Sequence, residues 1–470
     1  MGAGVSDWRL ARAVSRMGHL GVVSGTALDS ILARRLQDGD PGGHMRRGLS
    51  RFPVAAIAER ILNKYYRSTP RSPQKPYIPV PLFTPEPSLD LLELAVAANF
   101  VEINLAKEGH HHPVGINLME KIQMPLPSAL YGAMLAGVDY VLVGAGIPRA
   151  IPGVMDRLTT HLDISMTANV DGSRPEDDFK LRFDPRQVME NNLPVLKRPK
   201  FLAIVASNVL AITLARKASG RVDGFIIEGP TAGGHNAPPR GGIVLDDNQE
   251  PIYGPKDEVD LIGIQKLGLP FWLAGSYGSP EKLKEALSHG AAGIQVGSVF
   301  AFCRESGLAE NLKKQTLASA AAGTLSVFTD ALCSPTGFPF KVVALAGSLS
   351  DKAVYEARKR VCNLAYLRSL YRRADGTLGY RCAAEPVEQY LKHDGKAEDA
   401  VGRKCLCNSL LANIALSQVS ASGYVEPALV TAGNDTVFIH RLLEPGKKTY
   451  TAGYVLRYLT GTLRPRPSNA

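Results

Sequence analysis

Seven short apolar runs, each ending at or near a glycine or a small polar residue, recur over the first two thirds of the chain. They are Leu20-Gly-Val-Val-Ser24, Val114-Gly-Ile-Asn-Leu118, Tyr140-Val-Leu-Val-Gly144, Phe201-Leu-Ala-Ile-Val205, Gly224-Phe-Ile-Ile-Glu228, Phe271-Trp-Leu-Ala-Gly275 and Ile294-Gln-Val-Gly-Ser298. Between them lie stretches of helical periodicity, such as 128–136, 209–218 and 280–289, the last with proline near its start and glycine after its end. Strand, loop and helix in repetition is the pattern of a parallel α/β architecture, and carried through it predicts a TIM (β/α)8 barrel. Seven runs leave the barrel one strand short. Met1-Gly-Ala-Gly-Val-Ser6 reads as the loop after a first strand, with a helix over 7–16. Either the barrel is completed differently or the natural chain starts upstream of Met1.

The rhythm divides the chain. Residues 1–320 form the barrel, interrupted by insertions near 40–76 and 236–258, the first holding a helical stretch over 54–66 and a proline-rich end. Beyond it, 321–470 read as a C-terminal helical extension, with helices over 350–371 and 401–418.

With 45% hydrophobic and 21% charged residues the chain can bury a large core. No run of apolar residues is long enough for a membrane span, and the first residues lack the order of a secretory signal, so a cytoplasmic protein is expected. The net charge of +10 suits nucleic acid, an anionic cofactor or an acidic carrier protein. Its basic residues are scattered and accompany no nucleic-acid motif, which argues against the first. No GxGxxG fingerprint follows a strand, so a pyridine nucleotide, if used, docks only transiently.

Chemistry concentrates where the fifth run ends, at Glu228-Gly-Pro-Thr-Ala-Gly-Gly-His235. Gly229, Gly233 and Gly234 let the backbone turn sharply and approach a flat ligand, and His235 is held beside it as the candidate catalytic residue. The last two runs end in Ala274-Gly-Ser-Tyr-Gly278 and Gln295-Val-Gly-Ser298, separated by one helix. In barrels that pair of loops is the usual phosphate site, where glycine exposes backbone N–H groups and a serine hydroxyl adds a donor.

Taken in order, Met1-Gly-Ala-Gly-Val-Ser6, Leu20-Gly-Val-Val-Ser-Gly25, Gly115-Ile-Asn-Leu118, Ala232-Gly-Gly-His235, Ala274-Gly-Ser276 and Gln295-Val-Gly-Ser298 resemble the nitronate monooxygenase (2-nitropropane dioxygenase) family and its FMN-dependent enoyl-reductase relatives. The resemblance covers about residues 1–305. It implies FMN at the carboxyl ends of the strands, with Gly2 and Ala3 near the flavin ring and Asn117 hydrogen-bonding within its site. Gly275, Ser276, Gln295, Gly297 and Ser298 then hold the ribityl phosphate, and His235 falls on the active-site histidine. Ser276 stands where the family usually has glycine, and Asn236-Ala-Pro-Pro-Arg-Gly-Gly242 replaces a shorter link, which puts the substrate in doubt more than the cofactor. Arg240 is either a ligand for an anionic group or a solvated loop residue.

Of six cysteines, Cys362, Cys382, Cys405 and Cys407 lie outside the barrel with basic neighbours. Basic neighbours lower thiol pKa values and offset thiolate charge. The four are ordinary reduced thiols, ligands of a [4Fe-4S] cluster, or a zinc or disulfide site, and their spacing matches no standard motif. His110-His-His112 cannot converge on one ion from an extended chain and reads as a polar loop.

Three functions follow from these residues. The first is an FMN-dependent oxidoreductase oxidising a nitronate or related carbanion with dioxygen. The second is an FMN-dependent enoyl reductase acting on thioesters of coenzyme A or an acyl carrier protein, whose negative charge the basic chain complements. The third is a flavin and iron–sulfur electron-transfer subunit.

Overall fold

The computed structural model describes residues 2–190, 193–444 and 446–463; Met1, the first residue of the opening motif, lies outside them. The seven apolar runs are seven parallel strands of one sheet: β1 (Gly21–Ser24), β2 (Val114–Met119), β3 (Tyr140–Gly144), β4 (Lys200–Val205), β5 (Gly224–Glu228), β6 (Phe271–Ala274) and β7 (Gly293–Gln295). They stand in the sheet in chain order, each paired in parallel with the next. Helices intervene as the periodicity predicts, including Leu126–Leu135, Asn208–Lys217 and Pro280–Ser288. Local sequence fixes their starts. Ser207 and Ser279 accept hydrogen bonds from the backbone N–H of Leu210 and Lys282, and Pro280 occupies a first-turn position where no donor is needed.

Among the described residues the barrel is seen in part, as seven of its eight expected strands. Among the described residues β1 and β7 are the two edges of a seven-stranded sheet, and no backbone ladder joins them. Both edges line one cavity, together with Leu10 and Ala11 of the helix Trp8–Ser15 and with Leu456 and Leu459 of the helix Ala452–Leu459. On the β1 side the opening segment reaches the edge strand through its backbone, the Ser24 N–H donating to the Ser6 carbonyl at 2.8 Å.

Residues from 321 onward also depart from the expected helical extension. They contain the strands Val327–Asp330, Phe340–Val343, Ser369–Arg372 and Leu378–Arg381. Phe340–Val343 runs antiparallel to Gly234–His235, and Ser369–Arg372 parallel to Val170–Asp171. Periodicity misses these strands because each is only four residues long, and their identity as strands depends on their pairing, Val327–Asp330 with Phe340–Val343 and Ser369–Arg372 with Leu378–Arg381. The insertion near 40–76 does hold its helix, Ala55–Tyr65. No helix of the described residues is long and apolar enough to cross a membrane.

The helix Leu89–Ala106 runs through the core, with all but three of its eighteen residues buried. Its Glu102 forms the centre of a buried ionic network: Arg35 bonds Glu102 at 2.5 Å and Asp7 at 3.1 Å, while the Trp8 backbone N–H donates to Glu102 at 3.0 Å. Asp7 in turn caps the helix Trp8–Ser15. The network anchors the segment that follows Gly2 and Ala3 and so fixes their place on the cavity wall. Next to this helix, Gly132 faces Val96; a methyl group there would stand 2.1 Å from the Val96 carbonyl oxygen. Gly132→Ala is therefore expected to destabilise the protein by about 1–3 kcal/mol, read as a lower denaturation midpoint. An unchanged midpoint would show that the two helices are not packed this closely.

Candidate active site at the carboxyl ends of the strands

The carboxyl end of β5 delivers the central residues. The strand ends at Glu228, a turn follows, and Gly234 adopts φ +86, a conformation glycine takes without steric cost. Its N–H donates to the Thr431 hydroxyl at 2.9 Å, and that hydroxyl donates to the Lys341 carbonyl at 2.6 Å. Gly233 lies against a second late segment: a Cβ there would stand 2.8 Å from both the Ala432 carbonyl carbon and the Gly433 nitrogen.

His235 sits beside Phe340, ring centroids 5.0 Å apart and nearly perpendicular, and its Nε2 is 2.7 Å from the Ser334 hydroxyl. Ser334 contacts the Thr336 hydroxyl at 2.8 Å, and Lys121 donates to Thr336 at 3.4 Å. A hydrogen-bonded chain therefore joins His235 to Lys121. Burial, and after it the charge of Lys121, push the imidazole well below its usual range, so His235 is neutral at neutral pH. Burial likewise pushes Lys121 down to about 7, its ammonium resting 3.5 Å from the centre of the Phe338 ring.

All eleven residues assigned to the flavin and catalytic site come together. Gly2, Ala3, Asn117, Gly233, Gly234, His235, Gly275, Ser276, Gln295, Gly297 and Ser298 line a single cavity of about 560 Å³. Ser276 has a positive φ of +59, a conformation that costs a non-glycine residue of order 1–3 kcal/mol. Its buried hydroxyl has no hydrogen-bond partner among the described residues. The Ser298 hydroxyl interacts with the Asp435 carboxyl and accepts the Gly433 N–H at 2.8 Å. Arg240 is exposed, donates to the Ala206 carbonyl at 3.0 Å and is not on the cavity wall; it is a loop residue. His110 bonds the Ala106 carbonyl at 2.7 Å and stacks on His112, as a polar loop at a helix end does.

The four late cysteines are brought together but not as a ready ion site. Among the described residues no group of three or more His, Cys, Asp or Glu side chains is placed to hold a metal ion. The expectation of preformed metal ligands is corrected accordingly: the thiols meet as contacting pairs, and Cys407 is also part of the cavity wall.

Sequence reasoning overlooked four further participants. Lys121 and Ser334 act only through contacts across the fold. Asp435 follows a glycine turn that carries no chemical signature. Glu228 alone had a signal, as a carboxyl ending an apolar strand. It lines the cavity, and burial raises it to about 7.

The profile of the nitronate monooxygenase family matches residues 188–331. That stretch carries β4 to β7, the Gly233–His235 turn and both glycine loops, and it identifies the chain as an enzyme of the oxidoreductase class. No curated protein matches the chain in sequence. Among solved structures, FabK from Thermotoga maritima is similar at 14% identity and a TM-score of 0.46, covering 97% of this chain and 88% of that one. A nitroalkane oxidase from Streptomyces ansochromogenes is similar at 14% identity and a TM-score of 0.47, covering 98% and 93%.

The Glu228 carboxyl has a pH signature. Its folded value of about 7 lies above the ordinary 4.5, so the fold retains a proton that the unfolded chain has lost. The stability this confers is complete below about pH 4.5 and is lost as pH rises through about 7. Glu228→Gln is expected to remove that decline from the pH–stability curve of the cofactor-free protein; an identical decline in the variant would assign it to another group.

Proposed function

We propose that the chain is an FMN-dependent oxidoreductase that oxidises an alkyl nitronate or a related carbanion with dioxygen. The observation that supports this reading best is the neutral His235 on the wall of a cavity that also holds an unpartnered Ser276 hydroxyl. A cavity of about 560 Å³ lies within the range that takes a cofactor of this size.

The residues present fit FMN. Gly2, Ala3, Asn117, Gly233 and Gly234 form the face for a flat ring, where small side chains permit close approach. Gly275, Ser276, Gln295 and Gly297 hold the phosphate end, and the free Ser276 hydroxyl supplies a donor. The Asp435 carboxyl lies beside Ser298, and burial pushes it above the ordinary carboxylate range. Bound FMN supplies the two-electron acceptor that no side chain of this site provides.

The protein's own contribution is proton handling and placement. Toward a nitronate, which arrives already deprotonated, the neutral imidazole can place a ring N–H; toward the parent carbon acid it can accept the carbon's proton, and the chain through Ser334 and Thr336 to Lys121 gives that proton an onward path. Phe338 and Phe340 make an apolar wall around the imidazole. Burial leaves His235 neutral, so little imidazolium is present to serve as the proton donor an enoyl reductase requires, which ranks that alternative second.

The test is His235→Ala assayed with an alkyl nitronate. FMN content should be retained and turnover should fall on the order of 10²–10⁴-fold. Equal turnover would remove His235 from the mechanism. NADH oxidation that depends on an enoyl thioester of coenzyme A or an acyl carrier protein, without nitronate turnover, would replace the reading with the reductase.

A further inference from the structure

Beside the residues assigned to the cofactor, the cavity has a stretch of wall that the proposed oxidation does not use. Tyr366, Leu367, Leu406 and Leu410 line it, and all four belong to the late part of the chain, outside the residues 188–331 that the family profile matches. Contacts tie this stretch to the reacting end of the site. A Cβ on Gly2 would stand 3.6 Å from the Leu410 side chain and 3.9 Å from the Thr431 methyl group. The Thr431 hydroxyl is the acceptor that holds Gly234, next to His235. Gly2, proposed for the flavin ring, thus lies against both Leu410 and the segment that fastens the His235 turn.

The wall is apolar even where its sequence is not. Tyr366 brings a hydroxyl, but that hydroxyl donates to the Asp29 carboxyl at 2.7 Å and contacts the Ser30 hydroxyl at 2.7 Å. Neither Asp29 nor Ser30 is on the cavity wall, so the polar end of Tyr366 is turned away and its ring faces the cavity. Both partners are buried, which leaves the hydroxyl no water to turn to. Leu367, Leu406 and Leu410 offer only aliphatic carbon. Among the described residues no Lys or Arg lines the cavity. A substrate charged at the end away from His235 would bury that charge without a counter-ion, which is costly. Each methylene buried in the same place strengthens binding about fourfold.

We propose that Tyr366, Leu367, Leu406 and Leu410 form a subsite for an uncharged alkyl chain, with the reacting carbon beside His235 and the tail against the late segments. The inference rests on the reading of the cavity as the site of oxidation and adds the class of substrate to it. That class is an alkyl nitronate, or its parent nitroalkane, of several carbons and with no second charged group. Asp29 and Ser30 then act as positioning residues, fixing the Tyr366 ring against the chain.

The experiment is calorimetric titration of the full chain, as purified, with linear 1-alkanols from ethanol to octanol, alongside kcat/KM for alkyl nitronates of the same lengths. Affinity and kcat/KM are both expected to rise about three- to fourfold per added methylene, and a carboxylate at the far end of the chain to abolish the gain. Leu410→Ala and Tyr366→Ala should each lower the affinity for octanol on the order of tenfold. Val209→Ala, at an exposed position away from the cavity, should match the unaltered protein. Should Tyr366→Ala fail to fold, Leu410→Ala and the chain-length series of the unaltered protein decide. Values that are flat with chain length, wild-type affinity in the wall variants, or preference for a charged far end overturns the proposal. A length dependence that the variants lose, without nitronate turnover, leaves the subsite standing and sinks the nitronate reading; nitronate turnover without that dependence does the reverse.

Discussion

The contact of the Gly233–His235 turn with two later segments is the constraint on which the rest of the site depends. On one side Gly233 leaves no room for a side chain before the Ala432–Gly433 backbone; on the other His235 pairs in register with Phe340. The turn cannot move without moving both. Because the Thr431 hydroxyl accepts the Gly234 N–H and donates to the Lys341 carbonyl, the two later segments are also fastened to each other at this point. The imidazole is thereby held in a rigid, partly apolar place, and that place makes it neutral.

This arrangement explains why the late part of the chain is not a separate module. Its strands complete short sheets begun by residues of the earlier part, its Leu456 and Leu459 face the gap between the edge strands, and Asp435 reaches Ser298. The open edge of a sheet exposes backbone polar groups, and at β1 they are met by the opening segment: the Ser24 N–H donates to the Ser6 carbonyl at 2.8 Å and the Ser6 hydroxyl donates to the Val22 carbonyl at 2.6 Å. The loops at the carboxyl ends of the strands and the late segments are therefore one packed unit.

Much of this was legible in the sequence. The seven runs became seven strands because short apolar segments closed by glycine have few alternatives in a chain that alternates them with helices. Their order put the glycine loops of β6 and β7 side by side, and the eleven residues assigned by motif do share a cavity. What escaped depends on contacts between distant residues. The path from His235 to Lys121 crosses Ser334 and Thr336, more than two hundred residues from Lys121. The strands after residue 321 pair with one another as two short antiparallel pairs, and two-residue segments from the earlier part extend each of them.

The sequence by itself determined the seven parallel strands, their order in the sheet and the identity of the loop residues that follow them, since periodicity and glycine placement act locally. The tertiary structure decided that the sheet stays open at β1 and β7, that Ser298 turns towards Asp435, and that four cysteines from three segments share one buried place. It also decided the charge of His235. Burial and the nearness of Lys121 set that charge, and both are properties of packing that no stretch of sequence contains.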